Sequence, residues 1–329
     1  MKKTLIALAV LAASGAAFAQ SSVTLSGNVD VGITNALGAD KTRVDQSGNG
    51  ANQIVFSGSE DLGGGLKANF RLAQRFSPES GMNDGSAANR PTFQGESTLG
   101  LSGGFGAVKI GRALTAFQGP VNSTDPWGTL QQGSVAVLTT GYATDIDNNP
   151  GATGGGAGRT DAVFYTSPSF SGFTASVSLG LKDSQSSGTV VTGAKNLSSL
   201  WVSYANGPVM VGGGTEQNRT GLRVTAILAT YNLGVAKIGA GFSNLDAVAV
   251  GADRKSYNLM VTAPMGKVTL KAGYGQSKLD SATAASIKKT GIGADYSLSK
   301  RTTLYTSIGR DSIRTTAATG YEIGIRHTF

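Results

Sequence analysis

The amino-acid sequence predicts an all-β fold, a closed barrel of 16 antiparallel strands that crosses a membrane. Three observations lead to this prediction. The chain begins with an export signal, its later segments alternate between apolar and polar residues, and its connections alternate between short and long. After the signal no apolar run is long enough for a transmembrane helix, whereas an alternating strand spans a membrane without such a run.

Residues 1–19 have the three parts of a secretory signal peptide. Lys2 and Lys3 form the charged start, residues 5–13 the apolar centre, and residues 17–19 a small-residue cleavage site. The apolar run is too short to anchor the chain as a spanning helix. We therefore predict Sec-type export with cleavage after Ala19, which leaves a single barrel domain over residues 20–329.

The composition excludes several other classes of protein. The formal net charge is +8, but the Lys and Arg residues are scattered singly and form no nucleic-acid-binding motif, so nucleic acid is not an expected partner. The chain has no cysteine, which excludes disulfides and thiolate metal sites. The 48 glycines fall mostly singly along the chain, unlike a low-complexity linker.

Apolar and polar residues alternate most clearly at residues 173–182, FTASVSLGLK, and again at residues 67–76, 236–242 and 268–274. Such alternation is typical of a β-strand with one apolar face. The last residues, counted back by twos from the terminal aromatic, predict a lipid-facing strand. That face carries Phe329, His327, Ile325, Ile323 and Tyr321.

The lengths of the connections separate a barrel from a soluble sandwich, which would also alternate. The short connections are residues 62–65, 103–106, 169–172, 206–208, 232–234, 263–266 and 298–301. The long ones are residues 36–51, 77–91, 113–158, 183–196, 217–221, 244–253, 277–287 and 311–318. Seven short and eight long connections in strict alternation imply 16 strands, with short turns on one rim and long loops on the other.

The longest connection, residues 113–158, interrupts the alternation. It contains the segment TDPWG (124–128), the acids Asp125, Asp145 and Asp147, and a glycine-rich end at residues 151–158. Long connections without regular structure are usually functional loops or disordered linkers. Because strand-like segments flank it, we predict a loop that folds into the barrel and narrows the lumen.

Several stretches, in this order, resemble the trimeric general porins of the Gram-negative outer membrane. They are SSVTLSGNVDVGI (21–33), GSEDLGGGLKANF (58–70), STLGLSGGFGAVKIGR (97–112), YTSPSFSGF (165–173), LSKRTTLY (298–305) and GIRHTF (324–329). The resemblance implies a 16-stranded homotrimeric barrel in the outer membrane, with its third outer loop folded into the pore. It also implies passive diffusion of ions and small hydrophilic solutes, contact with outer-membrane lipid and lipopolysaccharide, and no cofactor.

The resemblance further implies a pore constriction at which basic side chains of the wall face acids of the third loop. If Ile54 and Phe56 face lipid, their neighbours on that strand face the lumen, and the next strands are placed in the same way. Residues 92–101 are expected to form one of these strands, with Gln94, Glu96 and Thr98 directed inward. The predicted constriction residues are Gln53, Ser57, Arg71, Arg75, Glu96, Arg112, Asp125 and Arg159.

The sequence departs from its relatives in where these charges lie. Anion-selective relatives tend to carry arginines at the positions of Gln53 and Ser57, whereas here the arginines Arg71 and Arg75 lie one strand further along. Glu96 is expected to pair with one of those arginines. We therefore expect only a weak preference for anions.

Other functions find little support in the sequence. The only histidine, His327, lies on the lipid-facing register of the last strand and cannot serve a triad in the lumen. The glycine runs lack the Lys-Ser/Thr of a phosphate loop, and the acids at 145 and 147 lack the downstream glutamate of a calcium loop. We therefore predict neither catalysis nor a metal site.

Two alternatives to a general pore remain open. In a substrate-selective channel for small organic acids or sugars, Phe117, Trp127 and Tyr142 would form a stacking track, although such aromatics also pack loops against walls. A structural or adhesive barrel would have a blocked lumen, which the polar inward faces argue against. Conductance that saturates with one solute would indicate the selective channel.

Overall fold

The computed structural model describes residues 22–39, 41–46, 49–83, 92–129, 131–142, 144, 158–181, 193–247, 253–280, 286–313 and 316–329. The predicted signal peptide and the acids Asp145 and Asp147 lie outside these ranges. Eighteen strands form one sheet. They are β1 (Ser22–Asn35), β2 (Thr42–Gln46), β3 (Gln53–Gly63), β4 (Leu66–Ser77), β5 (Met82–Asn83), β6 (Glu96–Gly103), β7 (Gly106–Leu114), β8 (Arg159–Thr166), β9 (Phe173–Gly180), β10 (Leu197–Asn206), β11 (Val209–Gln217), β12 (Arg223–Asn232), β13 (Lys237–Asp246), β14 (Arg254–Met265), β15 (Val268–Leu279), β16 (Ile287–Ser297), β17 (Thr302–Asp311) and β18 (Thr319–Thr328).

The sheet closes on itself through β1, which pairs antiparallel with β18 from Asn28↔Thr328 to Asn35↔Tyr321. On its other edge β1 pairs with β3 near one end and with β2 near the other, so these two strands share one position in the barrel. The two-residue β5 pairs only with the end of β4. Sixteen strands therefore span the barrel, which confirms the predicted fold.

Among the differences between predicted and observed boundaries, three concern the strands of the first half of the chain. The predicted loop at residues 36–51 contains β2, because the ladder with β1 continues through Asn35↔Thr42. The predicted loop at residues 77–91 contains β5. The strand expected over residues 92–101 begins only at Glu96, so Gln94 lies before it. Each of the seven predicted short connections overlaps an observed break between consecutive strands. The connection at residues 298–301 coincides with its break, and the bounds of the other six differ by one to three residues at one or both ends.

Side chains alternate between the two faces of the wall, with apolar groups exposed on the outside. On β17 and β18 the exposed set is Leu304, Ile308, Tyr321, Ile323 and Ile325, and the buried set includes Tyr305, Ser307 and Glu322. An apolar outer face and a polar inner face are the arrangement of a barrel in lipid. The lipid-facing register predicted for the last strand, including His327, is confirmed.

The third long connection, residues 115–158, is called loop 3 from here on. It contains a four-residue helix, α1 (Gln118–Val121), followed by a turn of 3₁₀ helix (Asn122–Thr124). Its apolar residues Phe117, Val121 and Leu138 pack against Trp201 and Leu245 of the wall. The hydrophobic cluster of this protein therefore lies inside the barrel, between loop 3 and the wall.

Among the described residues, no helix is long and apolar enough to cross a membrane.

Candidate functional site

Loop 3 lies against the inner face of the wall across many strands. The Phe117 N–H donates to Ser199 Oγ of β10 at 3.0 Å, and Ser243 Oγ of β13 donates to the Leu138 carbonyl at 2.6 Å. Further along, the Gly133 N–H donates to Ser307 Oγ of β17 at 3.0 Å. These serines belong to the buried sets of their strands, so loop 3 runs inside the barrel.

A row of glycines makes this close approach possible. Gly273, Gly291, Gly309 and Gly320 are register partners on four adjacent strands, β15 to β18, and we call them the glycine row. A Cβ on Gly291 would lie 1.8 Å from the Gly133 carbonyl oxygen, and one on Gly309 would lie 1.8 Å from that of Gln132. Only glycine therefore allows the backbone of loop 3 to contact the wall here.

Two buried carboxylates of the wall hold the loop. Glu216 of β11 accepts hydrogen bonds from Tyr142 Oη at 3.0 Å and Thr144 Oγ1 at 2.9 Å. Glu322 of β18 accepts one from the Gln132 N–H at 3.0 Å. Burial, together with the Glu216 carboxylate, raises the pKa of the Tyr142 phenol well above its usual value. The phenol therefore keeps its proton and remains a donor to Glu216.

Asp125 lies within loop 3 and is only 5% exposed. Its carboxylate accepts hydrogen bonds from the Thr129 N–H and Ser134 Oγ, both at 2.7 Å, and from the Val135 N–H at 3.2 Å. Burial raises the pKa of Asp125, while these hydrogen bonds oppose the shift. Unlike the lumen-facing acid expected from the sequence, Asp125 organises the interior of the loop.

The three aromatics of loop 3 are buried and do not form a track along the lumen. Phe117 packs edge-on against Trp201 with ring centroids 5.8 Å apart. Trp127 lies beside the inward-facing Gly293, and Tyr142 reaches Glu216. Of the two roles that the sequence left open for these residues, packing the loop against the wall is the one that the structure shows.

The part of the wall formed by β4, β6 and β7 carries long charged side chains. Arg71 Nε lies 3.1 Å from Glu96 Oε2, and Lys109 Nζ lies 2.7 Å from Glu96 Oε1. Lys109 also lies over the Phe164 ring, 5.4 Å from its centroid. The side chains of Arg71 and Lys109 remain 42% and 40% exposed. We call Arg71, Arg75, Glu96 and Lys109 the charged wall.

The neighbouring strand β3 extends this surface with uncharged side chains. Gln53 and Ser57 are the register partners of Arg75 and Arg71 and therefore share their inward face. Gln53, Val55 and Arg71 line one recess of about 390 Å³. The structure thus brings together Gln53, Ser57, Arg71, Arg75 and Glu96 on a continuous inner surface.

The remaining two predicted arginines are placed differently. Arg112 belongs to the same alternating set as the exposed residues Ile110 and Leu114, and Arg159 pairs with Leu114. Arg112 Nε donates to the Gln94 carbonyl at 3.3 Å, and Arg159 Nε donates to the Gly95 carbonyl at 2.6 Å. By register, both arginines therefore belong to the outward-facing set of their strands. Their guanidinium groups form hydrogen bonds with the backbone of the segment that precedes β6.

Lys109 is the residue of this surface that the sequence-based selection missed. It lies in the segment AVKIGR, between Val108 and the exposed Ile110, and its inward direction follows from the alternation of that strand. The same rule directs Arg112 outward. The alternation of side chains along β7 therefore contained the information needed. Applied to that strand, it predicts Lys109 in place of Arg112 as a residue of the inner surface.

Comparison with known proteins identifies the barrel. The Gram-negative porin family matches residues 4–316. The chain belongs to this family. It is 33% identical to outer membrane porin protein 32 of Delftia acidovorans and 30% identical to the major outer membrane protein P.IB of Neisseria gonorrhoeae, each over the full length of both chains. The solved anion-selective porin from Comamonas acidovorans superposes with a TM-score of 0.75 at 28% identity, covering 94% of this chain and 100% of that one.

Family and fold together establish the class of activity. This porin is a multi-pass β-barrel of the outer membrane that acts as a channel for passive diffusion, and it is not an enzyme. Across the described ranges, no group of three or more His, Cys, Asp and Glu residues is arranged to hold a metal ion. His327 bonds to Thr302 Oγ1 at 2.9 Å on the outer face.

Proposed function

We propose that solutes pass between loop 3 and the charged wall, and that this passage weakly favours anions. The observation that carries the proposal is the imbalance of charge across it. The charged wall holds three cationic side chains and one carboxylate. In the described part of loop 3 the single acid, Asp125, is buried and bonded within the loop. In the described part of loop 3, therefore, no exposed carboxylate opposes the attraction of the wall for an anion.

Glu96 keeps this preference weak. Its two oxygens contact Arg71 and Lys109, so it neutralises part of the local positive potential. A ring of charge in a narrow aqueous lumen sets ion preference through that potential, and salt screens it over about 10 Å at 0.1 M. The anion selectivity named for the Comamonas acidovorans porin supports the same direction.

The proposed assembly is a homotrimer in contact with outer-membrane lipid and lipopolysaccharide, which passes ions and small hydrophilic solutes. Two features support it: membership of the porin family and an outer face rich in exposed apolar side chains such as Ile227, Leu259 and Ile292. An apolar face of this kind must be covered by lipid or by a neighbouring barrel.

The test is the reversal potential of the purified protein in a planar bilayer under a salt gradient. Wild-type protein is expected to show a small shift toward the anion equilibrium potential. Arg75→Ala should reduce this shift and Glu96→Ala should increase it, whereas Lys300→Ala, in a turn away from the charged wall, should leave it unchanged. If Arg75→Ala and Glu96→Ala both matched wild type, the charged wall would not be the selective surface.

Conductance also separates the general pore from the selective channel. An ohmic current in several salts is expected for a general pore. Saturation by one organic acid or sugar would instead indicate a binding site for that solute. The burial of Phe117, Trp127 and Tyr142 favours the general pore, because it removes the aromatic surface on which a sugar would stack.

A further inference from the structure

The connection between β11 and β12, residues 218–222, folds over the long-loop rim of the barrel and buries an arginine there. The Asn218 side chain accepts hydrogen bonds from two N–H groups later in this connection, both at 3.0 Å, and so fixes it as a tight turn. The Lys195 N–H donates to the Arg219 carbonyl at 2.9 Å. The Arg219 side chain is only 1% exposed. The turn therefore holds this side chain in one place against the wall.

Beside this arginine, the backbone ladder between β8 and β9 stops short of the rim. Its last pair toward the rim is Val163↔Leu179, although β8 extends further. Continuing the same register would pair Asp161 with Leu181. Here Arg219 Nε donates to the Leu181 carbonyl at 3.1 Å, and its Nη2 donates to the Asp161 carbonyl at 3.4 Å. In the described part of the two strands, the guanidinium therefore takes the place of backbone pairing.

Two further contacts explain why this side chain is an arginine. Arg219 Nη2 lies 3.1 Å from Asp161 Oδ1, and Nη1 donates to Thr160 Oγ1 at 3.1 Å. A guanidinium has more N–H donors than a lysine ammonium and holds them in one plane. A Cβ on Gly180 would lie 3.2 Å from Nη2, so the glycine leaves the space that the guanidinium occupies. Arginine can therefore bind the backbone of both strands and the Asp161 carboxylate at once.

The end of β8 that Arg219 holds is the point at which loop 3 returns to the wall. Loop 3 ends at Gly158, whose carbonyl accepts a hydrogen bond from the Thr115 N–H at 3.0 Å, so the two ends of the loop are joined there. Thr160 follows directly on β8 and is fully buried. Glu216, near the end of β11, binds another part of loop 3. The end of β11 and the connection after it therefore hold loop 3 at separate points.

We infer that Arg219 is a positioning residue of the channel. By joining β8 to β9 it fixes the returning end of loop 3, and with it the cross-section of the lumen that loop 3 leaves open. The side chain is buried, so it acts on solutes only through the position of the loop. An outer connection thereby influences the current through the pore. The inference goes beyond the proposed passage, because it does not depend on which ions that passage favours.

Single-channel recording of the purified protein tests the inference with Arg219→Gln, which removes the ion pair with Asp161 and the planar set of donors. Transitions between conductance levels should become about ten-fold more frequent, because breaking a buried ion pair releases the end of β8. Arg219→Lys keeps the charge with fewer donors and should show an intermediate frequency. The matched control Arg223→Gln removes an exposed charge at the start of β12, where it is bonded to Gln217, and should behave like wild type.

Recording well below the melting temperature of each folded variant separates positioning from stability. A lower melting temperature of Arg219→Gln with a steady, wild-type current would overturn the inference, and so would equal transition frequencies in Arg219→Gln and Arg223→Gln. If Arg219→Gln does not fold, Asp161→Asn is the milder test, because it keeps the bonds of Arg219 to Leu181 and Thr160. Steady currents from folded Asp161→Asn and Arg219→Lys would then overturn the inference, and more frequent transitions in both would support it.

Discussion

The inner wall of this porin has two regions that differ in the side chains they direct toward the lumen. On β15 to β18 the wall presents the glycine row, and the backbone of loop 3 lies directly against it. On β4, β6 and β7 the wall presents Arg71, Glu96 and Lys109, which form ion pairs with one another and leave the side chains of Arg71 and Lys109 42% and 40% exposed. The two regions have the same strand geometry, and they differ in the size of the inward side chains.

This difference indicates how the barrel places its passage. A loop folded into a barrel needs a surface that it can approach. On β15 to β18 inward glycines admit the backbone of loop 3, and on β10 and β13 the side chains of Trp201 and Leu245 pack against it. Long charged side chains on the other side exclude the loop and remain hydrated. The glycine row therefore allows the backbone of loop 3 to lie against β15 to β18. In the passage that we propose, the charged wall sets the ion preference.

Filling the glycine row should have the largest effect. In Gly291→Ala/Gly309→Ala, each new Cβ meets a carbonyl of loop 3 at 1.8 Å, so the loop must move toward the charged wall. Overpacking of this kind costs about 1–3 kcal/mol per site. We expect a lower single-channel conductance and a lower melting temperature of the folded band on a gel. Gly104→Ala, in a turn with open space around it, is the matched control. Wild-type conductance in the double variant would contradict the role of the glycine row.

Removal of Glu216, a carboxylate that holds loop 3 against the wall, should have the second-largest effect. Glu216→Ala leaves the Tyr142 and Thr144 hydroxyl groups without their acceptor in a buried site. An unsatisfied buried donor costs about 1–3 kcal/mol. We expect frequent transitions between conductance levels in single-channel records, because the segment of loop 3 around Tyr142 and Thr144 is released. Glu216→Gln keeps an acceptor oxygen and should show fewer transitions between conductance levels than Glu216→Ala. A steady current from Glu216→Ala would show that the apolar cluster alone fixes the loop.

The two regions also differ in how far the sequence predicts them. The charged wall follows from alternation, since each inward residue lies two positions from the next, and Arg71, Arg75 and Glu96 were selected in this way. The contacts of loop 3 could not be predicted from the sequence, because the loop has no periodicity and its partners lie on distant strands. The hydrogen bond from Gln132 to Glu322, for example, joins residues 190 positions apart. Nothing local to Gly291 or Gly309 shows which backbone will approach them.

Asp125 illustrates the same limit at a single residue. From the sequence it is an acid in an inward loop, which fits a constriction. In the structure its partners Thr129, Ser134 and Val135 are all within the loop, and their donors satisfy the carboxylate. Whether a loop carboxylate faces solute or its own backbone depends on the loop conformation, which no repeat in the sequence encodes.

A smaller effect is expected when the charged wall is altered without moving the loop. Glu96→Gln frees Arg71 and Lys109 from their shared carboxylate while keeping the side-chain volume. With charges a few ångströms from the ion path in a partly aqueous medium, the anion-to-cation permeability ratio should rise roughly two- to five-fold at low salt. The rise should shrink at 1 M salt, where screening acts over about 3 Å. Lys109→Gln should lower the ratio, and a change of the same sign in both variants would contradict the assignment.

The smallest change is expected from the two arginines that leave the strands on the outward-facing register. Arg112→Gln and Arg159→Gln each remove a bond to the backbone of residues 94–95, which precede β6 and Glu96. The guanidinium groups of Arg112 and Arg159 are held in these contacts, so each variant should change the reversal potential only slightly. Arg71→Gln removes the same single positive charge from the inward-facing set and should change the reversal potential more. Comparing these variants separates the effect of the direction of the side chain from the effect of losing one positive charge. If Arg112→Gln shifted the reversal potential as much as Arg71→Gln, the guanidinium of Arg112 would act on ions in the lumen, and strand register would not be sufficient to identify the residues of the selective surface.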